Sequence, residues 1–153
     1  NAGGAMRIFL PKNYFNGRKA DGKTYIHDIT PAQYAMGEKY YDRDWKRASG
    51  FTKDAMARNG AQVLGDRLDD PVGVVLCHTE NGRVKGGTGQ ALRIANDKGV
   101  PVINFGDARW KDVSAVNIAD AAMKVARKEA TLEDVEKEHA KTKSSYIVIG
   151  DER

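Results

Sequence analysis

The chain has 153 residues, of which 30% are charged and 41% hydrophobic, and a formal net charge of +4. Such a composition suits one soluble domain with a substantial core, shows no repeat or low-complexity tract, and is too mildly basic to argue for nucleic acid alone. No apolar run approaches a membrane span or signal-peptide core, and a lone cysteine, Cys77, excludes an internal disulfide and suits a reducing cytoplasm.

Residues 1–5 precede Met6 and read as an expression remnant, which leaves 6–150 as a single expected domain. Arg7-Ile8-Phe9-Leu10, stopped by Pro11, is the first expected strand. The polar segment 12–27 carries Asn16-Gly17 and Asp21-Gly22 as turn signals. In an open α/β sheet the loop after the first strand lies at the carboxyl edge, where ligands bind. Asn13, Tyr14, Asn16 and His27 are therefore pocket candidates, to be weighed against an ordinary surface excursion. Thr30-Pro31 then supplies an N-cap and a proline at the first helical position. That helix is expected to run to about Ala48, with Tyr34, Ala35, Tyr41 and Trp45 mostly packed on the sheet. Ser49 or Thr52 caps a second helix containing Phe51, Ala55 and Met56, with an expected end near Asn59-Gly60.

Arg58-Asn59 is the first point of chemical interest. Arginine offers a planar fork for phosphate or carboxylate, and asparagine both donates and accepts. The competing reading is a solvated helix end, where arginine favours the terminal carbonyls. Gln62-Val63-Leu64-Gly65 leads into an acidic turn that Pro71 closes.

Residues 72–105 carry the densest signal. Val74-Val75-Leu76-Cys77 is short, apolar and β-branched, as a buried strand requires, which makes Cys77 a packing residue rather than a nucleophile. His78 and Thr79 lie past the strand tip. His78 lacks a paired acid at a telling spacing, whereas Thr79 is well placed to hydrogen-bond a ligand. Lys85-Gly86-Gly87-Thr88-Gly89-Gln90 follows as a glycine loop. Ala91, Leu92, Ile94 and Ala95 then mark a short amphipathic helix stopped by Gly99. A second strand, 100–105, follows, with Asn104 near its end. Helical crossovers of this length join parallel strands. Glycines admit close backbone approach, and free N–H groups at a helix start make an anion site. Thr88 and Gln90 add side-chain donors, while Lys85 and Arg93 add charge. The loop is neither a P-loop nor G-x-G-x-x-G. Its bland alternative is a turn whose glycines serve only helix–sheet packing.

Val113, Val116, Ala119, Ala122, Met123 and Ala126 step by three and four, so a helix is expected over 112–128. Thr131-x-x-Asp134 resembles a capping box at the start of a charged segment, 131–141, expected as an exposed helix or linker. Ser145-Tyr146-Ile147-Val148-Ile149 reads as a late strand at a sheet edge or a subunit contact.

The run from Gly86 to Ala95, followed by Gly99-Val100-Pro101-Val102-Ile103-Asn104, resembles the SLOG superfamily of Rossmann-like domains. That superfamily includes the DNA-processing protein DprA, the cytokinin-activating LOG phosphoribohydrolases, and sensor domains for nucleotide signals such as cyclic ADP-ribose. The chain is most similar to small DprA-like phage proteins, which share an Ala-Arg-Asn…Gln-Val-Leu-Gly segment, here Ala57-Arg58-Asn59 and Gln62-Val63-Leu64-Gly65. The resemblance covers about residues 8–105. It implies an α/β fold, a Rossmann-like three-layer sandwich with a mostly parallel sheet, and a homo-oligomer.

It also implies binding of a nucleotide-derived small molecule of ADP-ribose type. Non-catalytic binding is the expected mode, weighed against hydrolysis through acids such as Asp28 or Glu80, and no cofactor or metal is expected. In a viral setting such binding would sequester a host immune signal. The implied ligand set is Arg58, Asn59, Thr79, Lys85, Gly86, Gly87, Thr88, Gly89, Gln90, Arg93 and Asn104. A LOG-type hydrolase is the first alternative, but that family's Pro-Gly-Gly-x-Gly-Thr-x-x-Glu motif is broken here. Lys85 stands before the glycines, and the required glutamate falls on Leu92 or Arg93, which removes the group that stabilises oxocarbenium charge. A DprA-like single-stranded DNA binder is the other alternative, against which stands the scatter of Lys and Arg among nearly equal acids.

Overall fold

The computed structural model describes residues 6–144, with side chains through Ala140. Among the described residues, five α-helices and two small parallel two-stranded sheets give a mixed α/β architecture. The described residues divide into two compact units, one taking in 6–72 with Val84–Val100, the other Gly73–Arg83 with 101–144.

In the first unit, β1 (Ile8–Phe9) pairs in parallel with β2 (Tyr25–Ile26), Ile8 opposite Tyr25. The second strand arises inside the stretch whose polarity reads as loop. Asp21 is the cause: its Oδ1 accepts the N–H groups of Lys23, Thr24 and Tyr25, each at 2.8 Å. These donors hold its carboxyl below the usual carboxylate range and reverse the chain into β2. Asn13 works similarly, accepting from the Ala20 N–H at 2.9 Å. Tyr14 and Asn16 take left-handed backbone conformations in the same excursion, and a ring nitrogen of His27 lies 3.3 Å from the Leu10 carbonyl.

Helix α1 (Pro31–Lys39) begins with a full capping box, Thr30 and Gln33 exchanging side-chain-to-backbone bonds. It stops nine residues before the expected end at Ala48. Asp42 and Asp44 follow its C-cap at Tyr40, and Asp44 caps a separate 3₁₀ turn, Trp45–Arg47. Helix α2 (Gly50–Leu64), capped by Ser49, passes through the expected stop at Asn59-Gly60. Asn59 and Gly60 are buried there, with Ala57, Ala61, Val63 and Leu64. The true stop is Gly65, whose φ of +74° is one that residues with a Cβ rarely adopt. Helix α3 (Gly86–Asp97) buries Leu92, Ile94 and Ala95 and ends before Gly99.

In the second unit, β3 (Val75–Cys77) pairs in parallel with β4 (Val102–Asn104), Cys77 opposite Asn104. Leu76 is 49% exposed, so β3 is not buried on both faces as its apolar run suggests. Helices α4 (Ala115–Ala126) and α5 (Leu132–Ser144) follow, α4 capped by Ser114. The Thr131–Asp134 capping box is complete, with Thr131 Oγ1 accepting the Asp134 N–H at 3.1 Å and Asp134 accepting the Thr131 N–H at 3.0 Å. Ile103, Trp110, Ala121, Ala122, Val125 and Val135 form this unit's core. The strand expected at 145–149 and residues 1–5, expected as a remnant, lie outside the described residues. Among the described residues, no helix is long and apolar enough to cross a membrane.

Candidate functional site

The glycines are not a loop preceding a helix. They are its first turn, since α3 starts at Gly86 and its first intrahelical bond runs from the Gly89 N–H to the Lys85 carbonyl at 2.9 Å. Lys85, at the N-cap, contributes no side-chain cap. The N–H groups of Gly86, Gly87 and Thr88 therefore have no acceptor among the described residues, and they carry the positive end of the helix dipole.

Each glycine has a different reason for being there. Gly86 has φ +63° and open space where a Cβ would go. A Cβ on Gly87 would meet only the Met56 Cε at 3.7 Å and the Asn59 Nδ2 at 3.9 Å. At Gly89 a Cβ would sit 2.6 Å from the Val84 carbonyl carbon, which makes that glycine a packing residue. The expected result follows from these distances. Gly87→Val should leave thermal unfolding nearly unchanged, whereas Gly89→Val should lower stability by about 2 kcal/mol or more. Equal melting losses in the two variants would refute this division of labour.

Several of the expected ligand side chains have internal partners, Gln90 and Arg93 first among them. Gln90 is fully buried; its Nε2 donates to the Gly37 carbonyl at 2.8 Å and its Oε1 accepts from Asn59 Nδ2 at 2.8 Å. Arg93, three residues on, donates twice to the Tyr40 carbonyl, from Nε at 3.1 Å and Nη2 at 2.9 Å, and pairs with Asp42 at 3.5 Å. Spacing of three puts both on one face of α3. That face satisfies the terminal carbonyls of α1, a role the sequence pattern does not signal, because donor and acceptor lie 53 positions apart. Asn59 completes the arrangement by donating to the Gly87 carbonyl at 3.0 Å, which fixes the first turn of α3 against α2.

Arg58 is the exception. Its guanidinium is half-buried and enters no ion pair among the described residues. Its contacts are the Phe9 carbonyl and Asn59 Oδ1, both at 3.5 Å, the outer limit for a hydrogen bond. Its Nε is buried with no partner at all. Burial pulls its pKa below the ordinary arginine value, yet a guanidinium retains its charge at neutral pH. A half-buried guanidinium without a carboxylate, next to the asparagine that grips Gly87, is an arrangement an anion would complete.

Thr79 and Asn104 belong to the second unit, at the carboxyl ends of β3 and β4. Asn104 is buried, and its Oδ1 accepts the N–H groups of Thr79 at 3.0 Å and Gly106 at 3.2 Å while its Nδ2 donates to Thr79 Oγ1 at 2.7 Å. Both residues thus brace two turns against each other. Cys77 is half-buried and burial pushes its thiol up from the ordinary value, which keeps it in the unreactive protonated form. No cluster of His, Cys, Asp and Glu among the described residues can hold a metal ion.

No family model, curated protein or solved structure matches the chain. Function therefore rests on the geometry and on the motif resemblance alone.

Proposed function

We propose that the protein binds a phosphorylated, nucleotide-derived small molecule of ADP-ribose type, without turning it over, at the first turn of α3. The observation that carries this reading is Arg58, a half-buried guanidinium without a carboxylate, coupled through Asn59 to Gly87. Phosphate oxygens would take the free N–H groups of Gly86, Gly87 and Thr88, and Lys85 adds exposed charge nearby. The ligand class comes from the resemblance to SLOG sensors. The same reading includes a Rossmann-like arrangement, supported by parallel pairing in both sheets and by the chain order β3–α3–β4. It includes a cytoplasmic homo-oligomer as well, on the strength of the resemblance and the lone cysteine. Sequestration of an immune signal is the biological role it suggests.

Hydrolysis of the LOG type has no support in the residues at hand. Leu92 is buried in the first unit's core and Arg93 is bound to Tyr40 and Asp42, so neither can act as the missing acid. The test is mass spectrometry of small molecules released from heat-denatured protein, paired with calorimetric titration of ADP-ribose. An intact nucleotide should be recovered; free base and ribose phosphate accumulating with time would instead make the protein a hydrolase. Arg58→Ala should weaken ADP-ribose binding by about tenfold or more while leaving stability unchanged or slightly raised, because a poorly paired buried charge is removed. Affinity that survives the change would sink the assignment. A steep loss of binding with salt, together with tight single-stranded DNA binding, would favour the DprA-like alternative.

A further inference from the structure

The second unit contains a cavity of about 480 Å³ whose walls include His78, Glu80, Asn81, Phe105, Gly106 and Lys111. Its position follows from the sheet. Cys77 and Asn104 are register partners, and the Phe105 N–H donates to the Cys77 carbonyl at 2.9 Å, so His78 and Phe105 are the first residues beyond the carboxyl ends of two parallel strands. Ligands of open α/β sheets bind at such ends, and the volume lies in the range of small-molecule sites.

The cavity has a rigid frame and idle polar groups. Asn104 ties the Thr79 and Gly106 backbones together, and the Gly82 N–H closes a turn on the Thr79 carbonyl at 3.2 Å. By contrast, the side chains of Glu80, Asn81 and Lys111 enter no hydrogen bond or ion pair among the described residues. His78 and Phe105 pack ring against ring, 5.3 Å between centroids at 45°, and Phe105 keeps 39% of its surface exposed. An aromatic surface beside a carboxylate, an amide and an ammonium offers one plane for stacking, an acceptor for ring or exocyclic N–H, and donors for ring nitrogen or carbonyl.

We infer that this cavity is a subsite for a purine base. Purines present a flat π-face for Phe105 and His78, N–H donors for Glu80, and N7-type acceptors for Asn81 and Lys111. Pyrimidines offer a smaller face, and an aliphatic ligand would leave the idle polar groups unmatched. The assignment rests on residues of the second unit alone, so it stands if the anion site on α3 fails.

The experiment uses the whole chain and two probes without phosphate, adenosine and guanosine, followed by calorimetry and by backbone-amide NMR shifts. At least one nucleoside should bind saturably and shift the amides of His78, Asn81 and Phe105. Phe105→Ala should weaken that binding by about tenfold or more, the scale of one lost base–aromatic stack. Phe105 is substantially exposed, so its truncation leaves the core intact, and Glu80→Gln, which alters no packing, provides a second variant with an expected loss. No binding of either nucleoside at millimolar concentration overturns the inference. So do shifts confined to Gly86, Gly87 and Thr88, or unchanged affinity in both variants. Inorganic pyrophosphate reports on the α3 site independently, and its failure to bind leaves the purine subsite untouched.

Discussion

Gln90→Ala is expected to destabilise the first unit by about 3–4 kcal/mol, read as a fall in the urea midpoint by far-UV circular dichroism. Three losses coincide. The Gly37 carbonyl, one of the last four of α1, loses the Nε2 donor 2.8 Å away. Asn59 Nδ2 loses one of its two acceptors, keeping only the Gly87 carbonyl at 3.0 Å. The space left by a fully buried side chain then stays partly empty, because α1 and α2 already approach closely: a Cβ at Gly37 would lie 2.9 Å from the Ala57 nitrogen. Each orphaned buried group costs about 1–3 kcal/mol, and the cavity adds to it. Gln90→Leu separates the terms, since it refills the volume but restores no hydrogen bond; a loss of about 2 kcal/mol is expected there. A loss below about 1 kcal/mol in Gln90→Ala would mean that water or a rearranged Asn59 replaces both bonds.

The same residue shows where sequence reading reached its limit. A glutamine after a glycine cluster reads as a phosphate donor because composition shows what a side chain can do, not which partner reaches it first. Local signals were legible where the interaction itself is local. The N-cap at Thr30, the capping box at Thr131 and the glycine stop after α3 all depend on residues a few positions apart. The spacing over 112–128 located α4 but not its buried face: Val116 and Met123 are exposed, and Ala121, Ala122 and Val125 are the residues buried. Asn59-Gly60 failed as a helix stop for the opposite reason. Asn59 is held by α3 residues, and Gly60 is packed so that a Cβ would meet Met36 Cγ at 3.1 Å. Propensity counts both residues against a helix, and tertiary packing overrides it.

The glycine cluster was misplaced by the same mechanism. Glycine is a poor helix former, so the run reads as loop, yet Gly89 belongs inside a helix because the Val84 backbone lies where a side chain would begin. The missed strand β2 depended on Asp21 gathering three N–H groups, which a polar stretch conceals unless the turn is recognised first. The start of a helix at the glycine cluster was legible, because a strand, glycines and an amphipathic run follow one another in the sequence. The capture of Gln90 and Arg93 by α1 was not.

Gly106→Ala is the second large effect, and it falls on the second unit. A Cβ at this position would overlap the Thr79 carbonyl oxygen and stand 2.8 Å from its carbon. Flexible side chains can move aside, but this obstacle is backbone held from both directions. The Thr79 N–H is bound to Asn104 Oδ1 at 3.0 Å, and the Thr79 carbonyl accepts from Gly82 at 3.2 Å. Relief therefore requires breaking the Asn104 brace, which also holds the Gly106 N–H at 3.2 Å. The expected loss is about 3 kcal/mol or more, combining overpacking with the orphaned groups of a buried asparagine.

Trp110 supplies a local readout, since it is buried in this unit's core while Trp45, the other tryptophan, belongs to the first unit. In a Trp45→Phe background, Gly106→Ala should shift the Trp110 emission transition to markedly lower urea. Gly86→Ala provides the contrast: its Cβ would meet nothing within 4 Å, and only the φ of +63° resists it, at about 1–2 kcal/mol. If Gly106→Ala proves no more costly than Gly86→Ala, the two turns slide past each other freely. The purine subsite, which depends on their fixed separation, would then lose its frame.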